Sequence, residues 1–497
     1  MRGLHPASPL RLPFPGLLAA VVAVAIALVP DPEPLQAQDT ALLVDSIFSE
    51  WDRPESPGCV VGVYLEGRPL LIRGYGEANL DWGIPIDERT VFYAGSVSKQ
   101  FAAASAALLH LEGTLDLDSD VRRWIPELPA YDPPVTVRHL VHHTSGVRDI
   151  YGLISLSGGR TADAWTDREY LDLLARQTEL NFVPGDAYLY SNGAYYLLTT
   201  LIERASGERL DDVARRLIFE PLGMSDTHFH QDRERIVPRR AMSYGGSADD
   251  GFRQTYLGNF DKAGAGGLYT TVHDLAAWDR NFVTGEVGGE AFLELVHTPG
   301  VLNGGDTLSY AFGLQLGEHE GHRTVGHGGS FMGFRADFVR FPDEGLSVAA
   351  LCNLGGINPG PLTRRVAELH LPSIDREEPS EGDRGPEVKE PEEEPAAPLP
   401  PSPPGAPLGA FAGTYRSSEV GATFEIRWEE GELRLLRPGG AGVQTLRHQG
   451  ADRFEAPGVT LEFELTDGHP ASFRLDAGRV RNLLFTRLDR EGEGASR

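Results

Sequence analysis

The chain has 497 residues, a formal net charge of −27 and two cysteines. Acidity on that scale excludes nucleic acid and anionic membrane as natural partners, since both reward basic patches. The length suits one large domain and one small one, and two cysteines cannot staple a disulfide-dense scaffold.

Residues 1–38 read as an export signal. Arg2 and Arg11 supply positive charge, Leu17 to Val29 form an apolar run, and Leu35-Gln36-Ala37-Gln38 offers a small-residue cleavage region. An apolar run of about 13 residues matches a signal core and is short for a membrane span. The expectation is an extracytoplasmic protein, periplasmic or secreted, with no stable membrane insertion after leader removal.

A large domain is expected over 39–370. Cys59–Leu65 and Leu70–Gly76 predict two strands joined by a Glu66-Gly67 turn. Phe101–Leu111 predicts an alanine- and leucine-rich helix that Gly113 stops as a C′ glycine. Ser96 then sits at the helix N-terminus, where unpaired N–H groups and the dipole favour negative charge. Ala194–Ser206 is helical in period and Gly207 closes it, and Asp274–Phe282 follows Gly264-Ala265-Gly266-Gly267 as a second amphipathic helix. His327-Gly328-Gly329 is placed just ahead of a strand, and Phe334–Phe341 and Leu346–Cys352 predict two strands around Pro342-Asp343-Glu344-Gly345.

Strands at both ends with helices between them predict an α+β fold, an antiparallel sheet flanked by helices with a helical subdomain, the two termini meeting in the sheet. Cys59 and Cys352 either bond or stay as buried apolar-like thiols on strands. The thiol reading is preferred.

Residues 371–408, with Glu377-Glu378, Pro391-Glu392-Glu393-Glu394-Pro395 and Pro400-Pro401-Ser402-Pro403-Pro404, predict a semi-extended acidic linker. Such a linker implies independent domains on either side. In 409–497, Thr423–Trp428, Glu432–Leu435, Thr460–Leu465 and Ser472–Leu475 alternate apolar and polar residues, which predicts a small all-β domain, barrel or sandwich, with no catalytic constellation.

The chemistry shows first in the lysines. Only Lys99, Lys262 and Lys389 occur among 45 basic residues. Arginine is effectively never deprotonated, whereas a buried lysine loses its proton readily. In Ser96-Val97-Ser98-Lys99 the serine and lysine lie one helical turn apart, so the amine can take the proton of a serine nucleophile. Tyr190-Ser191-Asn192 and His327-Gly328-Gly329 complete the set. The close histidine pairs, His142-His143 and His228/His230, have no ligand set around them, so no metal or cofactor is expected.

In order and spacing these three motifs resemble those of the serine β-lactamase and penicillin-binding protein superfamily, most nearly its class C β-lactamase, esterase and D-aminopeptidase branch. The resemblance covers residues 40 to 370 and includes His143-Thr144-Ser145-Gly146, Pro221-Leu222-Gly223-Met224-Ser225-Asp226-Thr227 and Ala265-Gly266-Gly267-Leu268-Tyr269-Thr270-Thr271. It implies Ser96 as nucleophile, Lys99 as its proton-shuttling partner and Tyr190 as a tyrosine that shares general-base work with the lysine, Lys99 providing the positive charge it needs. Asn192 would hold the acyl side chain and orient Lys99, and the N–H groups of Ser96 and Ser330 would form an oxyanion hole.

One departure concerns substrate. Where penicillin-recognising members commonly carry Lys-Thr-Gly, this chain has His327, Gly328 and Gly329, which should grip a carboxylate less well. The resemblance therefore implies a small-molecule substrate, an ester or small peptide including D-amino-acid peptides, ahead of a β-lactam. The rivals are a true β-lactamase or D,D-carboxypeptidase acting on peptidoglycan, and a non-catalytic binding protein that kept the fold.

Overall fold

The structure is a computed structural model that describes residues 33–160, 163–255, 263–372, 403–439 and 442–488. The leader's charged and apolar parts, and most of the acidic linker, lie outside the described residues. Helix α1 (Glu33–Phe48) spans the expected cleavage region.

Six strands form the main sheet: β1 (Cys59–Leu65), β2 (Arg68–Tyr75), β3 (Gln315–His319), β4 (His322–Phe331), β5 (Phe334–Phe341) and β6 (Leu346–Cys352). Their order is β3-β4-β5-β6-β1-β2, so the first and last strands of the domain meet, as the expected α+β layout requires. β6 is buried along its whole length and β1 everywhere but Leu65, which explains their unbroken apolar sequences. Val44 and Phe48 of α1, with Val366 and Ala367 of a helix over Pro359–Glu368, pack with Val61, Val63 and Val348.

Cys59 lies directly opposite Cys352 in the antiparallel β1–β6 register, and the two are joined by a disulfide. The thiol expectation fails here. Nothing in a sequence separation of 293 reveals a cross-strand register, which pairing of the two termini alone creates.

Helix α2 (Ser98–Leu111) runs through the middle of the domain, buried from Ser98 to Leu109. Its many alanines suit a helix packed on every side. A single 3₁₀ turn, Gly95–Val97, precedes it and carries Ser96. The turn is tied down by Ser98, whose Oγ donates to Gly95 O at 2.6 Å and accepts from Leu268 N at 3.1 Å.

His327-Gly328-Gly329 falls inside β4 rather than ahead of a strand. Glycine is usually a poor strand residue. Here a Cβ on Gly329 would lie 2.1 Å from Ala94 O, so the strand can approach the serine turn only without one.

The C-terminal domain is a closed eight-stranded barrel: β7 (Gly413–Ser417), β8 (Ala422–Glu429), β9 (Glu432–Leu436), β10 (Val443–Gly450), β11 (Arg453–Ala456), β12 (Val459–Thr466), β13 (His469–Ala477) and β14 (Val480–Arg487). The four alternating segments are β8, β9, β12 and β13. Buried Tyr415, Phe424, Phe454, Phe463, Phe473 and Phe485 fill the interior, so the barrel is a packed core.

The barrel does not stand apart from the body. Arg148, fully buried, donates to Glu419 Oε1 at 3.0 Å and to the carbonyls of Arg481 and Asn482 at 2.9 and 3.0 Å. Glu419 Oε1 also accepts from Thr178 N at 2.6 Å. Beside this pair, helix α3 (Ile150–Ser157) lies so close to the barrel that a Cβ on Gly152 would be 2.7 Å from Val480 Cγ2. The independence implied by the linker meets a seam built around a buried ion pair.

Candidate active site

Ser96 opens onto a cleft of about 1170 Å³ lined by Tyr190, Asn192, His327 and Ser330 among others. Lys99 stands one turn further along, with no exposed surface. Its Nζ lies 3.2 Å from Ser96 Oγ, 2.9 Å from Asn192 Oδ1 and 2.7 Å from Ala265 O. Burial holds its pKa well below the ordinary lysine value; Asp149 opposes that shift and Arg479 adds to it. A neutral amine donates to the two nearer carbonyl oxygens and keeps its lone pair for the Ser96 hydroxyl. That is the geometry of a general base and its nucleophile.

Tyr190 is drawn the other way. Its hydroxyl shares a hydrogen bond with Ser96, yet burial pushes its pKa above the ordinary tyrosine value. Lys99 Nζ sits 4.7 Å from the Tyr190 ring centroid. Burial lowers the Lys99 pKa and raises that of Tyr190, which suits the amine to accept a proton and the phenol to donate one.

Asn192 is oriented by a residue the sequence reading missed. Asp149 Oδ2 accepts from Asn192 N at 2.9 Å and from Nδ2 at 2.8 Å, which turns Oδ1 toward Lys99. Asp149 Oδ1 also caps α3, taking Tyr151 N at 3.1 Å. An aspartate ahead of a helix signals a cap in any sequence, and only the fold adds the second task.

The third motif is tied into a chain of neutral groups. His143 Nδ1 accepts from Ser191 N at 3.1 Å, which leaves the proton on Nε2, 3.2 Å from Tyr310 Oη. Tyr310 then donates to His327 Nε2 at 3.2 Å, and His327 Nδ1 donates to Gly328 O at 2.6 Å. Each tautomer follows from its neighbour. Burial, with Lys99 as the next cause, lowers the His327 pKa to about 4, so this histidine is uncharged and both its nitrogens are spent. Tyr310 belongs to no motif, and nothing in the sequence points to it.

Gly95 brings the serine turn against β4. Its φ is +56°, and a Cβ there would lie 2.6 Å from Ser330 N. β3 starts at Gln315, opposite Gly326, so 327–331 runs past it with one strand edge unpaired by β3. The amides of Ser96 and Ser330 thus belong to elements in direct contact at the cleft wall.

The described structure brings Ser96, Lys99, Tyr190, Asn192, His327, Gly328, Gly329 and Ser330 to one place. His228 and His230 lie apart from the cleft and contact each other, Nε2 to Nδ1, at 3.4 Å.

Comparison with known proteins agrees with this arrangement. The Beta-lactamase family profile matches residues 44–371, and the chain belongs to that family. It is 29% identical over 297 residues to a D-aminopeptidase from Gluconobacter oxydans, a match covering 60% of this chain and 56% of that protein. Penicillin-binding protein 4* of Bacillus subtilis is 30% identical over 305 residues, covering 58% of this chain and 66% of the relative. The chain thus spans little more than half the length of the D-aminopeptidase it matches. The fold is shared with an octameric penicillin-binding protein homologue from Pyrococcus abyssi, at a TM-score of 0.58 and 22% identity over 91% of this chain and all of the other.

Proposed function

We propose that this protein is an exported serine hydrolase that forms an acyl-enzyme on Ser96 and acts on small esters or short peptides, D-amino-acid peptides among them. The observation that carries the reading is the buried amine of Lys99, 3.2 Å from Ser96 Oγ, its pKa brought well below the ordinary lysine value by burial. Lys99 takes the hydroxyl proton as Ser96 Oγ bonds to the substrate carbonyl carbon. The amides of Ser96 and Ser330 receive the oxyanion, each such donor being worth about 3 kcal/mol. Tyr190, kept protonated, delivers a proton to the leaving group and recovers one from Lys99. Water then repeats the sequence on the ester and releases Ser96.

Two further observations support the reading. The Cys59–Cys352 disulfide suits an oxidising compartment, in keeping with the leader. The relatives include proteins named for D-aminopeptidase activity. Among the described residues no helix is long and apolar enough to cross a membrane.

The test is covalent labelling. A fluorophosphonate should add to Ser96 in the wild type and to nothing in Ser96→Ala, as read by mass spectrometry. Because Ser98 rather than Ser96 anchors the turn, the variant should keep its stability to within about 1 kcal/mol. A label on another serine would overturn the assignment.

A further inference from the structure

The cleft takes one wall residue from the barrel. Arg479, in the turn between β13 and β14, lines the same cavity as Ser96. Its backbone is pinned to the body: Arg479 O accepts from Asp149 N at 3.3 Å and from Asn181 Nδ2 at 3.0 Å. Two residues on, the backbone is held as well, with Arg481 N donating to Asn181 Oδ1 at 2.7 Å. The guanidinium projects from this fixed base to lie 5.4 Å from the Tyr190 ring centroid.

The other ionisable groups of the site are already engaged. Lys99 is buried and directed at three oxygens. Asp149 is 2% exposed and its Oδ2 is shared by two Asn192 donors. Asp337 is buried against Arg364 and Thr363. Arg335 folds its Nη1 onto the carbonyls of Met332 and Phe334. Arg479 differs. Its side chain is 41% exposed, and its contact with Asp149, at 3.6 Å, is looser than a hydrogen bond.

His327 cannot supply the cation that a lysine would at the third motif, because both ring nitrogens are committed to Tyr310 and Gly328. The geometry points to Arg479 as the specificity-determining residue of this cleft, reading a carboxylate on the substrate from the barrel side. A guanidinium presents a planar fork that fits a carboxylate and repels an ammonium group. No exposed carboxylate lines the described cleft to hold a free substrate amine. The site should therefore favour acids, such as peptides with a free C-terminal D-residue, over substrates with a free amino group. A barrel that reads substrate also gives the interdomain seam a purpose, since pinning the Arg479 backbone pre-organises the contact.

This inference rests on the acyl-transfer reading of the same cleft, and its test is chosen to fail separately. Full-length Ser96→Ala is titrated by calorimetry with N-acetyl-D-alanine and with its methyl ester, two ligands that differ in the carboxylate charge and one methyl group. The acid should bind about tenfold more tightly, the scale of one charge-assisted contact. Arg479→Gln in the same background should bring the acid down to the ester's affinity, and Arg479→Lys should keep part of the preference. Equal binding of acid and ester before the change, including binding of neither, overturns the role of Arg479. So does a preference that survives Arg479→Gln. Failed labelling of Ser96 would sink the acyl-transfer reading and leave this binding ratio to be judged by itself.

Discussion

Lys99 and Arg148 are both buried basic residues, one beside the cleft and one in the seam between body and barrel. Lys99 Nζ contacts the neutral oxygens of Ser96, Asn192 and Ala265, and burial draws it toward the uncharged form. Arg148 contacts the Glu419 carboxylate and two carbonyls, which suit a permanent cation. The pair shows why a chain so sparing of lysine keeps one here. A cation that must surrender its proton has to be lysine, and one that must never do so is better arginine.

Glu419→Ala is the strongest way to break the comparison. Removing the carboxylate leaves Arg148 charged and buried without its partner, which typically costs about 3–5 kcal/mol. Urea denaturation of the full chain should show a loss of that size. Much of it should return in Glu419→Ala/Arg148→Met, where no buried charge is left over. A loss below about 1 kcal/mol in the single variant would mean that water reaches the seam.

Lys99→Arg attacks the other side. The charge is kept but no neutral amine is available, so acylation by a p-nitrophenyl ester should fall by about two orders of magnitude or more, near 3 kcal/mol. Substantial retained activity would reduce Lys99 to a fixed charge and erase its contrast with Arg148. The wild-type acylation rate should rise with pH as Lys99 deprotonates and level off once it is neutral.

Acid offers a third and smaller probe of the buried neutral groups. The folded His327 titrates near pH 4 against an ordinary histidine value of 6.5. Between those values the unfolded chain binds the extra proton, so stability from this group is complete above about pH 6.5 and is lost as pH falls toward 4. From pH 7.5 to 5 the wild type should lose about 2 kcal/mol more than His327→Gln, as urea midpoints would show. Equal losses would mean that His327 is solvated and free to charge.

Much of the site was legible because its chemistry is local. Ser96 and Lys99 are held by one turn and the helix that follows it, so their spacing alone places them together. Tyr190 and Asn192 start a helix in the same way. Asp149, Tyr310 and Arg479 left no such trace, because each acts on a residue that is distant in the chain and near only after folding.

The amino-acid sequence by itself determined the α+β order of elements, the all-β tail and the three motifs, because hydrophobic period, helix stops and residue chemistry act over a few residues. Tertiary structure alone decided that Cys59 meets Cys352, that β4 carries its glycines past the serine turn, and that the barrel places Arg479 in the cleft. These depend on register and docking, which are set by the summed burial of whole surfaces. No short stretch of sequence contains that sum.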